Sequence, residues 1–190
     1  MSKNVASIFD IKTIENAPQN SKNALISAKN TYGFEPNLLG LMANHPGLLN
    51  SYMQGNSILS ANSFLTPIEQ QIVFLSVSYE NNCHYCMAAH TTIGQMTKVP
   101  QDILDALRNG TILPNPRLEA LSKYTKATTQ KRGRVSQDEI ENFYSAGFNQ
   151  EQQLEVILII GLKVFTNYIN FLAQTPIDEA FQPNVWITKV

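Results

Sequence analysis

The hydrophobic and polar positions of this chain follow a helical period over most of its length. The clearest segment begins at Thr66-Pro67-Ile68-Glu69, where Thr at the N-cap, Pro at N1 and Glu at N3 form the pattern of a capping box. Behind it, apolar residues recur at i, i+4, i+7 and i+11. These residues are Ile68, Ile72, Leu75 and Tyr79. We predict a helix that ends near Glu80.

Similar patterns predict helices along the rest of the chain. The predicted helices are Ser21 to Tyr32, two short ones separated at His45-Pro46-Gly47, one from the cysteines to about Met96, one from Pro100 to about Asn109, Arg117 to Thr129, one after a second capping box at Ser136-Gln137-Asp138-Glu139, and about Glu151 to Ala173. No convincing alternating β pattern and no glycine-rich phosphate loop are present. We therefore predict an all-α fold with one domain over residues 1–190, irregular at about 1–20 and 175–190.

Composition excludes several classes of partner. The chain has 14 Lys and Arg against 15 Asp and Glu, and no Lys or Arg lies between Lys29 and Lys98. Nucleic-acid binding needs clustered cations, so this pattern disfavours it. The N-terminus has no apolar signal region, and the most apolar run, Val156 to Leu162, is far shorter than the ~20 residues of a spanning helix. We expect a cytoplasmic protein without membrane or nucleic-acid partners.

The only two cysteines, Cys83 and Cys86, lie in the segment Cys83-His84-Tyr85-Cys86-Met87-Ala88-Ala89-His90. If this segment is helical, Cys83, Cys86 and His90 fall within about 60° of one another on the helical wheel. A thiolate near a helix N-terminus is stabilised by the helix dipole, and a second thiol nearby can resolve an oxidised first one. His90 can transfer protons because the ordinary pKa of histidine lies near neutrality.

Two other interpretations of these residues remain open at this point. Cys83, Cys86 and His90 are three of the four ligands of a structural zinc site, with His45, Glu69 or Glu80 as a candidate fourth ligand. The cysteines can also be inert, buried apolar residues. We favour redox chemistry, because the pair is followed by a histidine one turn later and preceded by a capped apolar helix.

The sequence also resembles a known family. The run Leu65-Thr66-Pro67-Ile68-Glu69-Gln70-Gln71-Ile72, followed by Ser76-Val77-Ser78 and by Cys83-x-x-Cys86-x-x-x-His90, resembles the alkylhydroperoxidase D branch of the carboxymuconolactone decarboxylase superfamily. Weaker likeness extends from Tyr32-Gly33-Phe34-Glu35-Pro36-Asn37 to the late helix with Asn167. The resemblance implies a single-domain helical bundle with the CxxC at the start of a core helix, homo-oligomeric assembly and thiol-dependent reduction of hydroperoxides, with no organic cofactor.

The resemblance also implies roles for individual residues. Cys86 is expected to attack the peroxide, Cys83 to resolve the oxidised thiol, and His90 to belong to the proton relay. The family has a glutamate at the position of Gln71, and glutamine cannot act as a base at neutral pH. Glu69 and Glu80 lie on other faces of the helical wheel, so we expect neither to replace that carboxylate.

The expected activity is therefore that of a thiol peroxidase, weakened by Gln71, with a hydroperoxide substrate and an external dithiol reductant. The alternatives are a non-enzymatic or redox-sensing helical oligomer, and a lactone decarboxylase-like enzyme that uses His90 as acid or base. We expect a homo-oligomer with part of its interface around residues 36–62. Lys163, inside the apolar late helix, is expected to extend to solvent or to pair with an acid.

Overall fold

The structure, a computed structural model, describes residues 9–187 of the chain. Nine α-helices follow one another in this range: α1 Gln19–Tyr32, α2 Asn37–Met42, α3 Pro46–Ala61, α4 Pro67–Glu80, α5 His84–Met96, α6 Gln101–Asn109, α7 Pro116–Gln130, α8 Gln137–Ser145 and α9 Gln150–Ala173. No strand occurs among the described residues. The prediction of an all-α fold is confirmed. The predicted single domain over residues 1–190 stays a prediction, and its outermost residues, 1–8 and 188–190, lie outside the described range.

The predicted capping residues act as the sequence pattern indicates. At the start of α4, Thr66 Oγ1 accepts from the Glu69 N–H, and the Glu69 carboxylate accepts from the Thr66 N–H. Ser136 forms the same reciprocal pair at α8. At the end of α6, Gly110 adopts φ 67°, and a Cβ at this position would lie 2.0 Å from the Tyr79 hydroxyl oxygen. Only glycine fits there, because both the backbone angle and the contact exclude a side chain.

Helix α4 lies at the centre of the bundle, packed against α5, α6, α7 and α9. Its apolar residues, including Ile72 and Leu75, belong to one core cluster with α6, α7 and α9. A second cluster joins α1, α2 and α3 to the first turns of α5 and contains both cysteines. Tyr52 of α3 contacts both clusters. The cysteine pair is therefore held by the core.

The C-terminal segment, which the sequence predicts to be irregular from about residue 175, contains regular structure. It contains a 3-10 helix, Glu179–Asn184, whose buried Phe181 belongs to the second core cluster and contacts Tyr85 of α5. The Asp178 carboxylate accepts hydrogen bonds from the Tyr85 hydroxyl and, at 3.0 Å, from the Asn37 N–H. Trp186 Nε1 donates to the Arg108 carbonyl at 2.8 Å. The segment thus packs over the start of α5, next to the cysteines.

Helix α9 has one buried face and one exposed apolar face. The exposed face carries residues spaced alternately four and three apart: Leu154, Leu158, Gly161, Phe165, Tyr168 and Leu172. Within the described range, α9 is the one helix that is long and apolar enough to cross a membrane, and 44% of its most apolar window is buried. A core helix with an exposed apolar face meets the same criteria. Its buried face carries the polar residues of the site described next.

Candidate active site

Both cysteines lie at the N-terminal end of α5, as the sequence predicts. Cys83 is the N-cap residue and Cys86 lies in the first turn, where backbone N–H groups lack partners within the helix. The Cys83 N–H donates to the Ser78 carbonyl at 2.9 Å, which fixes the turn between α4 and α5. Both residues are free thiols and each is 2% exposed. The two sulfurs are therefore shielded from bulk solvent.

The Cys86 sulfur accepts hydrogen bonds from two amide side chains of α9. Asn167 Nδ2 lies 3.1 Å and Asn170 Nδ2 lies 3.3 Å from Cys86 Sγ. Asn81 Nδ2 in turn donates to Asn167 Oδ1 at 2.7 Å, so the amide nitrogen of Asn167 must face the sulfur. Asn170 Nδ2 also lies 3.5 Å from the Cys83 sulfur. Donors aimed at a sulfur favour its anionic form.

Lys163 of α9 does not behave as the sequence predicts. Its side chain is 1% exposed, and its Nζ has no hydrogen-bond partner within residues 9–187. It forms no salt bridge with a described carboxylate. Nζ lies 5.9 Å from the ring centre of Phe74 and close enough to Cys86 for its charge to act on the thiol. The expectation of solvent exposure or an acid partner is wrong, because α9 turns this position into the bundle.

These surroundings shift the pKa values of the two thiols in opposite directions. Burial opposes ionisation of Cys86, but the hydrogen bond from the Cys83 thiol and the charge of Lys163 outweigh it and lower the pKa of Cys86 to about 5. The bond to Cys86 and burial raise the pKa of Cys83 far above its ordinary value. At neutral pH the pair therefore holds one proton, on Cys83, and Cys86 is the thiolate. A thiolate is the nucleophilic form of cysteine.

His90 and Gln71 meet in the structure. His90 Nδ1 lies 3.0 Å from Gln71 Oε1, and the imidazole stacks on Phe74 with ring centres 4.4 Å apart. With the amide oxygen as acceptor, Nδ1 carries the proton and Nε2 keeps its lone pair. Burial and the charge of Lys163 lower the pKa of His90 well below its ordinary value. The expected near-neutral pKa is therefore wrong, and the imidazole is neutral at physiological pH.

Glu69 and Glu80, the carboxylates that could replace the one expected at Gln71, have other partners. Glu69 completes the capping box and pairs with Arg117, and Glu80 accepts a hydrogen bond from Gln130. Neither reaches His90, as the helical wheel predicts. In the described part of the chain, no three His, Cys, Asp or Glu side chains converge as metal ligands would. The zinc interpretation of Cys83, Cys86 and His90 has no support in this arrangement.

A cavity of about 210 Å³ connects these groups to the surface between α3, α4, α5 and α9. Cys86, His90, Gln71 and Lys163 line it, whereas Cys83 does not. Much of the remaining lining is aromatic: Tyr32, Tyr52, Phe74, Tyr85 and Phe181. The cavity is large enough for an organic molecule as well as for a small peroxide. A thiolate, a neutral imidazole and a buried ammonium thus face one apolar space.

Sequence reasoning missed Lys163, Thr166 and Asn170 as parts of the site. Cys86 Sγ lies 3.8 Å from Thr166 Oγ1. The positions of Lys163 and Asn170 relative to Cys86 are given above. Together with Asn167, these polar residues stand at i, i+3, i+4 and i+7 of an otherwise apolar helix. That spacing places them on one face. A polar stripe on the apolar late helix is the signal that could have predicted them.

The site and fold define a class of all-helical proteins with a buried thiol pair at the start of a core helix. Solved structures identify the fold. An alkylhydroperoxidase AhpD core, an uncharacterized peroxidase-related protein from Ralstonia eutropha JMP134, matches with a TM-score of 0.82 and 18% identity, over 92% of this chain and 94% of that one. A peroxidase-related protein from Silicibacter sp. TM1040 matches with a TM-score of 0.77 and 19% identity, over 95% and 96%.

The debrominase Bmp8 shares this fold as well. Its apo structure matches with a TM-score of 0.78 and 17% identity, over 97% of each chain, and a cysteine-to-alanine variant has been solved in complex with 2,3,4-tribromopyrrole. No protein-family model and no curated protein sequence matches the chain. At these identities the likeness establishes the fold: this chain has the alkylhydroperoxidase D-like fold. Proteins with this fold include both peroxidase-related members and a debrominase.

Proposed function

We propose that this protein is a thiol peroxidase that reduces organic hydroperoxides through Cys86. The observation that carries the proposal is the thiolate environment of Cys86, which lies on a cavity beside a neutral imidazole and receives donors from Asn167 and Asn170. A buried thiolate that borders a cavity is suited to attack a peroxide oxygen. The helical alkylhydroperoxidase D-like fold supports the same chemistry.

In the first step, the Cys86 thiolate attacks the terminal peroxide oxygen and the O–O bond breaks. His90 Nε2 accepts the proton of the attacked oxygen and passes it to the leaving alkoxide, so the products are an alcohol and a sulfenate on Cys86. In the second step, the Cys83 sulfur attacks the Cys86 sulfur, and the oxygen leaves as water with the Cys83 proton and one proton from solvent. The product is a Cys83–Cys86 disulfide. An external dithiol then returns the protein to its reduced state.

The test is stopped-flow oxidation of the reduced protein with hydrogen peroxide, tert-butyl and cumene hydroperoxides, with mass spectrometry of the cysteines. We expect Cys86→Ser to abolish peroxide consumption, and Cys83→Ser to consume one equivalent and stop at the sulfenic acid. Alkylation with a sulfenic-acid reagent distinguishes these variants. A second-order rate no faster than that of a free thiol in solution contradicts the proposal.

Reductive dehalogenation is the second candidate, favoured by the aromatic lining of the 210 Å³ cavity and by the fold shared with a debrominase. The same two thiols supply the two electrons: an aryl bromide, the Cys86 thiolate and the Cys83 thiol give the arene, bromide and the disulfide. Incubation of the reduced protein with 2,3,4-tribromopyrrole tests this candidate. Bromide release stoichiometric with disulfide formation supports it, and unchanged tribromopyrrole rejects it.

We also propose that the protein is a homo-oligomer and that the exposed face of α9 takes part in the interface. The alternate four- and three-residue spacing from Leu154 to Leu172 is that of a helix-pairing seam. The seam carries no charge, so two copies can face each other without like-charge repulsion. A Cβ at Gly161 would meet nothing within 4 Å, which leaves room for a close approach at the middle of the helix.

A further inference from the structure

Lys163 carries a buried charge that faces the reactive sulfur. Its side chain is 1% exposed, and its Nζ makes no hydrogen bond within residues 9–187. The buried carboxylates of this range have other partners. They are Glu69, Glu155 and Asp178, which accept from Arg117, from the Phe64 and Leu65 N–H groups, and from the Asn37 N–H. In the reduced protein, the countercharge of Lys163 is therefore the Cys86 thiolate.

The cavity beside Lys163 contains no second permanent charge. Among the described residues that line it, there is no Asp, Glu or Arg, and Lys163 is the one lysine. His90, which also lines it, is neutral because burial and the charge of Lys163 lower the pKa of its imidazole. The cavity opens to the surface between α3, α4, α5 and α9, so a solute can enter. The Cys86 thiolate and the Lys163 ammonium thus balance each other there.

Oxidation of the cysteine pair removes this balance. A hydroperoxide or diamide takes two electrons from the Cys83 thiol and the Cys86 thiolate, one proton leaves, and a neutral disulfide forms. The negative charge beside Lys163 disappears, whereas the ammonium remains buried. A buried charge without a partner is strongly unfavourable. The oxidised protein is therefore stabilised by any group that brings a negative charge to Lys163 Nζ.

We propose that the oxidised protein binds a small, monovalent, weakly hydrated anion at Lys163, inside the 210 Å³ cavity, and releases it on reduction. The inference rests on the proposed disulfide chemistry of Cys83 and Cys86. One ammonium matches one negative charge, which selects a monovalent anion. The apolar, largely aromatic wall replaces little of an anion's hydration, which selects a weakly hydrated one. Bromide, the anion released by the second candidate reaction, belongs to this class.

Anion binding and the redox state of the cysteine pair are thermodynamically linked. An anion that binds the disulfide form more tightly than the dithiol form stabilises the disulfide, and reduction weakens the binding of that anion by the same factor. When reduction returns the thiolate to Cys86, the thiolate repels the anion and again neutralises Lys163. The ammonium thus alternates between two counterions, a sulfur anion fixed to the chain and a solute anion.

The first experiment removes the thiolate by substitution, so it requires neither peroxidase activity nor disulfide formation. The probe is perchlorate, titrated calorimetrically at neutral pH in sulfate buffer of constant ionic strength. We expect Cys86→Ser to bind perchlorate at least about tenfold more tightly than the reduced wild type, because the competing negative charge is lost. Cys86→Asp keeps a negative charge and should bind as weakly as the reduced wild type. In the Cys86→Ser background, Lys163→Met should abolish binding, whereas Lys123→Met, at a side chain 71% exposed, should not.

The second experiment measures the same site in the wild type through its disulfide equilibrium. Protein oxidised with diamide is equilibrated with dithiothreitol and its disulfide, and free cysteines are counted by alkylation and mass spectrometry. With perchlorate at about ten times its dissociation constant for the oxidised protein, the ratio of disulfide to dithiol should rise at least about fivefold. The ratio should not rise in Lys163→Met. Equal perchlorate binding, or none, by Cys86→Ser and Cys86→Asp, or binding that survives Lys163→Met, would overturn the proposal. Peroxide-driven oxidation is measured separately, so its failure would leave these results standing.

Discussion

The imidazole Nδ1 of His90 lies 3.0 Å from the amide oxygen of Gln71, although α4 and α5 supply the two residues separately. This contact identifies Gln71 as the residue that orients His90. An amide oxygen accepts the Nδ1 proton but adds no negative charge, so Nε2 remains a weaker base than it would beside a carboxylate. In the proposed mechanism, Gln71 therefore orients His90 and limits its basicity.

We expect Gln71→Glu to accelerate peroxide-dependent disulfide formation by about tenfold, a small part of what general acid–base catalysis can contribute. The new carboxylate would face His90 Nδ1 and raise the pKa of the imidazole. Stopped-flow oxidation at several pH values measures the effect. Gln70→Glu is the matched control, because Gln70 donates to Ser63 and the Leu65 carbonyl instead of His90. If Gln71→Glu is no faster than the wild type, the weak-relay argument is wrong.

The sequence predicts the helices and half of this site, for identifiable reasons. Capping boxes and local periodicity fix helix starts, so α4 and α8 begin where their Thr66 and Ser136 motifs indicate. The Cys83 to His90 face is also local, since one helix carries it. The α9 side of the site depends on how distant helices pack, and a sequence pattern does not specify that packing. The sequence therefore predicts that Lys163 extends to solvent or pairs with an acid, although it lies beside Cys86.

Lys163→Met should raise the pKa of the Cys86 thiol, because the charge of Lys163 favours the thiolate. We expect the titration midpoint to rise by at least about one unit, as is usual when a neighbouring opposite charge is lost. The same variant should lose about 1.4 kcal/mol of stability at neutral pH for each unit by which this pKa rises, because the buried thiolate loses its countercharge. Ultraviolet thiolate absorbance against pH and urea denaturation measure the two effects.

The control for this prediction is Lys123→Met, at a side chain that is 71% exposed. It makes the same chemical change at the surface, and it should shift neither the Cys86 titration nor the stability appreciably. An unchanged Cys86 midpoint in Lys163→Met would show that the helix N-terminus and the Asn167 and Asn170 amides suffice to stabilise the thiolate. A loss of stability together with an unchanged Cys86 midpoint would instead assign Lys163 a structural role.

His90 should make the folded protein sensitive to mild acid. Its pKa in the folded state lies well below the ordinary value, first because of burial and then because of Lys163. Between that low value and about 6.5, the unfolded chain binds a proton at this residue and the folded protein does not. The free energy of unfolding therefore falls as the pH falls below about 6.5, with a slope of up to about 1.4 kcal/mol per pH unit from this group.

Urea denaturation of the wild type and of His90→Gln between about pH 5 and pH 7 measures this slope. Glutamine does not titrate, so the variant should lack the part of the pH dependence that comes from proton binding at His90. This holds even if the absolute stability of the variant also changes. The exposed His45, which caps α3 by accepting from the Leu48 N–H at 3.0 Å, provides the control His45→Asn. Identical slopes in the wild type and His90→Gln would contradict the buried, neutral state of His90.

Leu158→Glu should dissociate the proposed homo-oligomer. Leu158 lies in the middle of the exposed apolar face of α9 and is 39% exposed, so a carboxylate there should be tolerated by the isolated fold. In a self-pairing seam, the same carboxylate would be buried against an apolar partner surface and would lack a countercharge. Light scattering at micromolar concentration should give an oligomer for the wild type and a monomer for the variant.

Met96→Glu, at a residue 76% exposed on α5, makes the same kind of change away from α9 and should leave the oligomer intact. A monomeric wild type would contradict self-association. An oligomeric Leu158→Glu would show that the interface does not depend on α9, and it would favour the interface around residues 36–62.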